Sequence, residues 1–197
     1  MEDKMHMILR EIARIEAGQR YILGVDGLSR SGKTTLVTKL KQCFLEENIA
    51  VFVFHIDDYI VERKRRYNTD YEQWHEYYHL QWDVEWLKEN FFKQLSCGEI
   101  LSLSTYDDLS DTHDLQEIKT PKTGLIIVEG VFLQRKEWRS YFDYIIYFDC
   151  PRETRFKREK EETQQDIEKF RHRYWKAEDY YLETELPLEK ADLIIQC

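Results

Sequence analysis

The segment 24–36 reads "GVDGLSRSGKTTL", and it constrains the fold of this 197-residue chain more than any other feature. From Gly27 to Thr34 it fits the pattern Gly-x-x-x-x-Gly-Lys-Ser/Thr. The apolar run 21–26 before it predicts a buried strand, and apolar residues at three- and four-residue spacing after it predict an amphipathic helix. A glycine-rich turn between a strand and a helix is the setting that a phosphate-binding loop (P-loop) requires.

The residue types of this loop explain how it would hold a nucleoside triphosphate, which we take to be ATP. The two glycines let the backbone approach a phosphate closely, and successive N–H groups at the helix N-terminus point at the anion. Lys33 would reach the β- and γ-phosphates, and the hydroxyl of Thr34 would bind Mg²⁺. We expect the following residues to bind ATP: Gly27, Ser29, Arg30, Ser31, Gly32, Lys33, Thr34 and Thr35.

The remaining apolar runs predict the rest of the sheet. Four of them predict strands with helical segments between them: 50–56, 124–130, 144–149 and 191–196. Continuous apolar strands that alternate with helices are typical of a parallel sheet covered on both faces. We therefore predict one three-layer α/β domain over residues 1–197 with a five-stranded parallel sheet. Residues 97–115 would form a small hairpin on the acceptor side, and 152–180 a lid with the helix that follows it.

Other segments carry weaker patterns. Apolar residues at helical spacing predict an N-terminal amphipathic helix that ends at Gly18: Met5, Ile8, Ile12 and Ile15. Aromatic residues recur at threes and fours over 67–96, so we predict a helix there and interpret its aromatic face as core. Trp82 or Tyr78 could still face the pocket and stack on a base. The basic run 63–66 is interpreted as a solvated loop. If it folded back on the acceptor site, it would suit a phosphorylated or carboxylated substrate.

Composition favours a cytoplasmic protein that acts on small molecules. The net charge of −9 argues against non-specific binding to nucleic acid. No apolar run approaches the roughly 18 residues of a membrane span, and the charged N-terminal segment lacks the apolar core of a signal peptide. Four scattered cysteines without a Cys-x-x-Cys pair predict reduced thiols rather than a disulfide or a zinc site. Whether the chain forms a homo-oligomer stays open.

Acidic residues follow two of the predicted strands. Asp57 and Asp58 come directly after one strand, and Glu129 lies at the end of another. Ligands bind at the carboxyl edge of such a sheet, where a kinase needs a carboxylate to orient the acceptor hydroxyl and take its proton. Since successive residues leaving a strand point opposite ways, only one of Asp57 and Asp58 would act as the base. Glu129 would hold Mg²⁺ together with Thr34, although capping roles for these acids stay open.

An ordered set of segments gives the chain a resemblance to a known family. After the loop come "HIDDY", "STYDD", "IIVEGVFL", "YFDCPRETRFKRE" and "KADLII". In this order they resemble the uridine kinase family, which is grouped with phosphoribulokinase and pantothenate kinase among the P-loop kinases. The resemblance covers nearly the whole chain after the first helix. It implies transfer of the ATP γ-phosphoryl group to a hydroxyl of a small metabolite, with the 5′-hydroxyl of uridine or cytidine as the acceptor.

The resemblance also implies roles for single residues. Asp57 matches the family's catalytic aspartate, which lies two residues before an aromatic residue, here Tyr59. On this match we choose Asp57 as the base, with Asp58 second. Tyr106 and Asp107 match a Tyr-Asp pair whose tyrosine lies against the nucleobase. Glu129 matches the acidic residue of the family's Glu-Gly turn. These matches imply that Tyr59, Tyr106 and Asp107 contact the acceptor.

Two arginines also match that family, whereas other positions of the chain differ from it. Arg155 and Arg158 match arginines at the base of a lid that closes on the phosphates and excludes water. Where the family has "PDAFD", this chain has "HLQWD" (79–83), so that only the second aspartate, Asp83, is kept as an acceptor contact. His113 follows the Tyr-Asp pair later than the family's histidine does, and we expect it to contact the acceptor as well. The family's arginine after the histidine is missing.

Two alternatives stay open. One is a kinase of the same fold with another acceptor: another nucleoside, a pantothenate-like acid or a sugar phosphate. The other is a nucleotide-binding regulatory protein. The sequence disfavours the second, because it contains neither the Asn-Lys-x-Asp motif for guanine nor an Asp-x-x-Gly switch after the third strand.

Overall fold

A five-stranded parallel sheet forms the centre of the computed structural model, which describes residues 7–10 and 19–197. In spatial order its strands are β2 (Val51–His55), β5 (Gly124–Gly130), β1 (Arg20–Gly27), β6 (Tyr144–Asp149) and β7 (Leu193–Gln196). All neighbouring strands run parallel. The predicted α/β fold with five parallel strands is confirmed.

The strands are apolar at nearly every position because both faces of the sheet are covered. Alternate residues of β1 enter different cores: Leu23 and Val25 pack on one face, and Ile22 packs on the other. The first of these faces is covered by the helix Lys33–Glu46, the P-loop helix. Its apolar stripe is buried as the sequence pattern predicts: Leu36, Val37, Leu40 and Phe44.

Two glycines shape the turn between β1 and the P-loop helix. Gly27 has φ +147° and Gly32 has φ +108°, conformations that L side chains rarely adopt. A Cβ on Gly27 would lie 2.8 Å from the Cβ of Phe148 on β6. The loop therefore needs glycine at both fixed positions of the motif, for its backbone path and for its close approach to the sheet.

Two segments with predicted helical structure, 67–96 and 152–180, are each divided into several helical elements. The segment 67–96 holds the helices Gln73–His79 and Val84–Asn90, because Asp83 accepts a hydrogen bond from Trp86 N and caps a new helix. The helices after β6 are also short, with one π-helical turn among them: Arg152–Lys157, Glu161–Gln164, Ile167–Lys169, Phe170–Trp175 (π) and Lys176–Glu185.

Smaller elements complete the fold. An antiparallel hairpin of β3 (Ile100–Asp107) and β4 (Thr112–Lys119) lies where 97–115 predicted one and extends a few residues further. Other short helical segments are Ile56–Tyr59 (3₁₀), Arg63–Arg66, Phe92–Gln94 (3₁₀), Arg139–Tyr141 (3₁₀) and Pro187–Lys190. Among the described residues, no helix is both long and apolar enough to cross a membrane.

Part of the predicted N-terminal helix can be compared with the structure. Residues 7–10 are helical, and Ile8 is buried in the core beneath the P-loop helix. The other residues of that prediction, including its end at Gly18, lie outside the described residues.

Cys150 and Cys197 form a disulfide, so the prediction of reduced thiols is wrong for this pair. The two residues follow neighbouring strands, since Asp149 of β6 is paired with Gln196 of β7. This register brings their Cα atoms to 5.1 Å across a sequence separation of 47. The spacing of cysteines along the chain does not show such a pair, because only the strand order of the sheet makes them neighbours. The other two cysteines, Cys43 and Cys97, are free thiols.

We expect loss of this disulfide to lower the free energy of unfolding. Closing a loop with the separation of 47 residues removes entropy from the unfolded chain, which corresponds to about 4 kcal/mol. Urea unfolding without reductant should give Cys197→Ser a lower midpoint than the wild type, while Cys97→Ser should match the wild type. Equal midpoints for Cys197→Ser and the wild type would contradict the bond.

Candidate active site

A cavity of about 940 Å³ opens at the carboxyl ends of the parallel strands. Every strand of the sheet contributes to its wall: the loop after β1, Asp57 after β2, Glu129 on β5, Phe148 on β6 and Gln196 on β7. This is the edge of a parallel α/β sheet at which ligands bind. A volume of this size accommodates two small substrates side by side.

The P-loop forms one wall of the cavity. Residues 29–35 all line it, whereas Gly27 packs against β6 behind them. Lys33 is buried at the start of its helix, and its Nζ donates a hydrogen bond to the carbonyl oxygen of Leu28, 3.1 Å away. Burial lowers the pKa of Lys33, and the charges of Glu129, Asp26 and Asp57 oppose that effect. The Lys33 ammonium group is therefore poorly hydrated, and a bound phosphate would stabilise its charge.

Glu129 and Thr34 meet at one point of the cavity. The Thr34 hydroxyl donates to Glu129 Oε2 at 3.3 Å, and Nδ1 of His55 lies 2.7 Å from the same oxygen. Burial by itself would raise the pKa of Glu129, but the hydrogen bond to His55 and the charge of Lys33 lower it overall. The hydrogen bond to Glu129 in turn raises the pKa of His55. Glu129 is therefore an ionised carboxylate at neutral pH.

This pair of oxygen donors fits Mg²⁺. A hydroxyl and a carboxylate are hard ligands, and Mg²⁺ in phosphate sites commonly takes one or two protein ligands beside phosphates and water. Within the described part of the chain, no cluster of three or more His, Cys, Asp or Glu side chains is placed to hold a metal. Thr34 and Glu129 are accordingly the residues that would hold the ion. Sequence reasoning gave no role to His55, because nothing in the pattern links it to a residue 74 positions away.

The two aspartates after β2 lie in different places. Both belong to the 3₁₀ turn Ile56–Tyr59, but only Asp57 is part of the described cavity wall. Burial raises the pKa of Asp57, and the charge of Lys33 opposes the rise. Burial also raises the pKa of Asp58, opposed by the charge of His55. Of the two, Asp57 is the one whose carboxylate shares a cavity with the P-loop.

Arg155 and Arg158 line the cavity and also fasten the P-loop. Arg155 is buried in a two-fold ion pair with Glu178, with N–O distances of 2.7 and 2.8 Å, and its Nη1 donates to the carbonyl oxygen of Ser29 at 3.2 Å. Arg158 Nη1 donates to the carbonyl oxygen of Arg30 at 2.9 Å. These charge-assisted bonds tie the segment after β6 to the loop. Arg158 therefore adds positive charge beside the loop, whereas the charge of Arg155 is offset by Glu178, which also lines the cavity.

The structure does not bring the predicted acceptor contacts into the cavity wall that it describes. Tyr59 is buried in the apolar core, with its ring 5.4 Å from that of Phe91. Asp83 caps a helix and forms an ion pair with Arg65 at 3.1 Å. Both side chains therefore have structural partners.

The predicted contacts on the hairpin also bind their neighbours. The Tyr106 hydroxyl donates to Asp111 at 2.8 Å. Asp107 accepts hydrogen bonds from Leu109 N and from a serine hydroxyl in the turn between β3 and β4. His113 Nε2 lies 2.9 Å from the carbonyl oxygen of Ile60, and Ile60 itself lines the cavity. The hairpin thus supports the cavity wall from outside.

The basic run 63–66 is not a simple solvated loop. Arg66 is buried, and its guanidinium donates to the carbonyl oxygen of Val61 and to the Tyr106 hydroxyl. Arg63 forms an ion pair with Asp108 of the hairpin at 2.9 Å. These arginines join the run to the hairpin and do not line the large cavity within the described structure.

Sequence reasoning missed several residues of the cavity wall. These are Tyr77, Gln81, Phe170, Tyr174 and Trp175. The aromatic series over 67–96 did not include Tyr77, and its two members that could have faced the pocket, Tyr78 and Trp82, are buried in the core. Spacing alone does not separate a residue at the core from one beside it at the cavity.

Comparisons with known proteins agree with this geometry. The model of the Phosphoribulokinase / Uridine kinase family matches residues 22–197. A uridine kinase of Borrelia duttonii (strain Ly) is 30% identical over 188 residues, which cover 88% of this chain and 85% of that protein. A solved structure described as a possible uridine kinase from Bacillus stearothermophilus superposes with a TM-score of 0.87 at 48% identity and covers 98% of both chains.

A more distant structure shares the fold alone. D-glycerate 3-kinase from Cryptococcus neoformans var. grubii is 11% identical, with a TM-score of 0.60 over 94% of this chain and 88% of that one. A fold that serves different acceptors does not by itself identify the acceptor of this chain.

Proposed function

Because the chain belongs to the phosphoribulokinase / uridine kinase family of kinases, we propose that it transfers the γ-phosphoryl group of ATP to the 5′-hydroxyl of uridine or cytidine. One observation carries the proposal: the P-loop, the Thr34–Glu129 pair and Asp57 share the wall of a single cavity. The uridine kinase of Borrelia duttonii and the related solved structure support a nucleoside as the acceptor.

The phosphate end of the cavity would bind and neutralise the triphosphate. Backbone N–H groups of the loop and the start of its helix face the anion, and Lys33 carries a positive charge at the centre of that wall. Arg155 and Arg158 line the same cavity and hold the loop in place, and they would stabilise the transferring group. Mg²⁺ held by Thr34 and Glu129 would neutralise charge on the β- and γ-phosphates.

Asp57 would act on the acceptor. Its carboxylate would orient the attacking hydroxyl and take the hydroxyl proton as the acceptor oxygen bonds to the γ-phosphorus. The bond from the γ-phosphorus to the bridging oxygen breaks in the same exchange, and ADP leaves. The raised pKa of Asp57, caused by burial, brings its basicity closer to that needed at neutral pH.

The alternative is a kinase of this family with another acceptor. Its support is the placement of the predicted acceptor contacts, since Tyr106, Asp107 and His113 bind their neighbours outside the cavity wall. Other nucleosides, pantothenate-like acids and sugar phosphates are the candidates.

An acceptor panel tests the proposal. ADP release from Mg-ATP would be measured with uridine, cytidine, other nucleosides, pantothenate and sugar phosphates, each against a control without acceptor. We expect the highest kcat/KM with uridine or cytidine and little ADP release without an acceptor. If only another class of compound on the panel raised ADP release, that class would be the acceptor in place of uridine and cytidine. Nucleotide binding without acceptor-dependent ADP release would contradict the assignment as a kinase.

A further inference from the structure

The positive residues of the cavity wall come from two segments. Each described arginine or lysine in the wall belongs to the P-loop or to the segment after β6: Arg30, Lys33, Arg155 and Arg158. Three glutamates also line the cavity, Glu129, Glu159 and Glu178, whereas another part of the described wall is aromatic, aliphatic and amide in character. The rings of Tyr77 and Tyr174 lie 5.0 Å apart, and those of Tyr174 and Phe170 lie 5.2 Å apart. Tyr77 and the predicted base, Asp57, line the same cavity.

Two cations lie near the aromatic wall. Arg173 lies 5.7 Å from the centre of the Tyr77 ring, and it forms a buried ion pair with Glu76 at 2.8 Å. Lys169 Nζ lies 5.8 Å from the centre of the Tyr174 ring. Neither of them is part of the described cavity wall. An acceptor with a phosphate or carboxylate group would therefore lose its hydration against this wall without meeting a cation of the described cavity there.

Gln81 is the polar side chain in this wall that lacks a partner. It is 8% exposed, it lines the cavity, and its buried Oε1 has no hydrogen-bond partner in the structure. Buried amide oxygens are nearly always hydrogen-bonded, so this one indicates a ligand group that completes the site.

The segment around Gln81 is fixed next to the predicted base. The Gln81 carbonyl oxygen accepts a hydrogen bond from Val61 N at 3.0 Å. The following residue, Trp82, donates from Nε1 to the carbonyl oxygen of Ile56 at 2.9 Å. These bonds attach the Gln81 segment to Ile56, where the turn that carries Asp57 begins, and to Val61, two residues after the turn ends. The amide is thus held by backbone and core contacts, not by a mobile loop.

We propose that Gln81 recognises the acceptor, an inference that rests on the proposed kinase function. Its Oε1 accepts a hydrogen bond from a second hydroxyl of an uncharged, polyhydroxylated acceptor whose reacting hydroxyl lies at Asp57. The aromatic wall packs against the body of that acceptor. Nucleosides and free sugars belong to this class, whereas sugar phosphates and carboxylic acids do not.

Gln81→Met tests the role of the amide, because methionine keeps the length of the side chain and removes its hydrogen-bonding groups. We expect kcat/KM for the acceptor to fall about tenfold, mainly through KM, as loss of one neutral hydrogen bond predicts, with KM for ATP unchanged. Gln73→Met, the same change at an exposed position outside the cavity wall, should behave as the wild type. Acceptor kinetics of Gln81→Met equal to those of the wild type would overturn the role.

Deoxy analogues of the acceptor test the same contact without relying on the variant. For uridine these are the 2′-deoxy and 3′-deoxy forms. One of them should lose about tenfold in kcat/KM with the wild type and lose nothing further with Gln81→Met. A wild type that tolerates removal of each hydroxyl other than the reacting one would overturn the inference, as would a preference for a sugar phosphate. In both cases acceptor-dependent ADP release would still stand, whereas its absence in the wild type would instead defeat the proposed function.

Discussion

Lys33→Ala should lose nearly all phosphoryl transfer, with kcat at least about 1,000-fold below that of the wild type, because a preorganised charge at the transferring phosphate is removed. Lys33 is buried in the cavity wall, and it is the buried cation of the described P-loop. The structure explains why the side chain is available: its hydrogen bond to the protein runs to a single loop carbonyl. ADP release at saturating Mg-ATP and acceptor measures the effect.

A second variant separates charge from packing. Lys33→Met keeps most of the buried hydrocarbon stem, so its unfolding midpoint should stay near that of the wild type while its activity is lost as in Lys33→Ala. Substantial residual turnover in either folded variant would refute the P-loop assignment.

Asp57→Asn should bind ATP normally and lower kcat by at least about 100-fold, the loss typical of a positioned base. The amide fills the space of the carboxylate but cannot take the acceptor proton. Because burial raises the pKa of Asp57, wild-type kcat should fall as pH decreases through that raised pKa, where the carboxyl becomes protonated. Asp57→Asn should lack this acidic limb.

Asp58→Asn is the matched control for the base. The residue adjoins Asp57 in the same turn but does not belong to the described cavity wall. Its substitution should change kcat by only a few-fold and leave the acidic limb in place. If Asp58→Asn shows the large loss and Asp57→Asn does not, our choice of the base is wrong.

Much of the fold follows from the sequence because the strands are buried on both faces. A continuous apolar run such as that of β5 is recognisable without neighbours, and a parallel sheet places the ends of all such runs on one edge. For this reason Lys33, Asp57 and Glu129 are predicted to converge, and in the structure they line one cavity.

The features that the sequence does not reveal depend on contacts between distant segments. The Cys150–Cys197 bond follows from strand order, and the division of helix 67–96 follows from a cap at Asp83. Gln81 carries no pattern at all, since its significance comes from an oxygen without a partner in a cavity wall. Tertiary placement, not residue type, decides each of these cases.

The most direct test follows the labelled γ-phosphoryl group of ATP in the presence of Mg²⁺ and uridine or cytidine. The wild type should form labelled nucleoside 5′-monophosphate in amounts equal to the ADP released, and Asp57→Asn should form almost none. ADP release without a labelled acceptor product, or no turnover with any acceptor of the panel, would contradict a phosphotransferase built on this cavity.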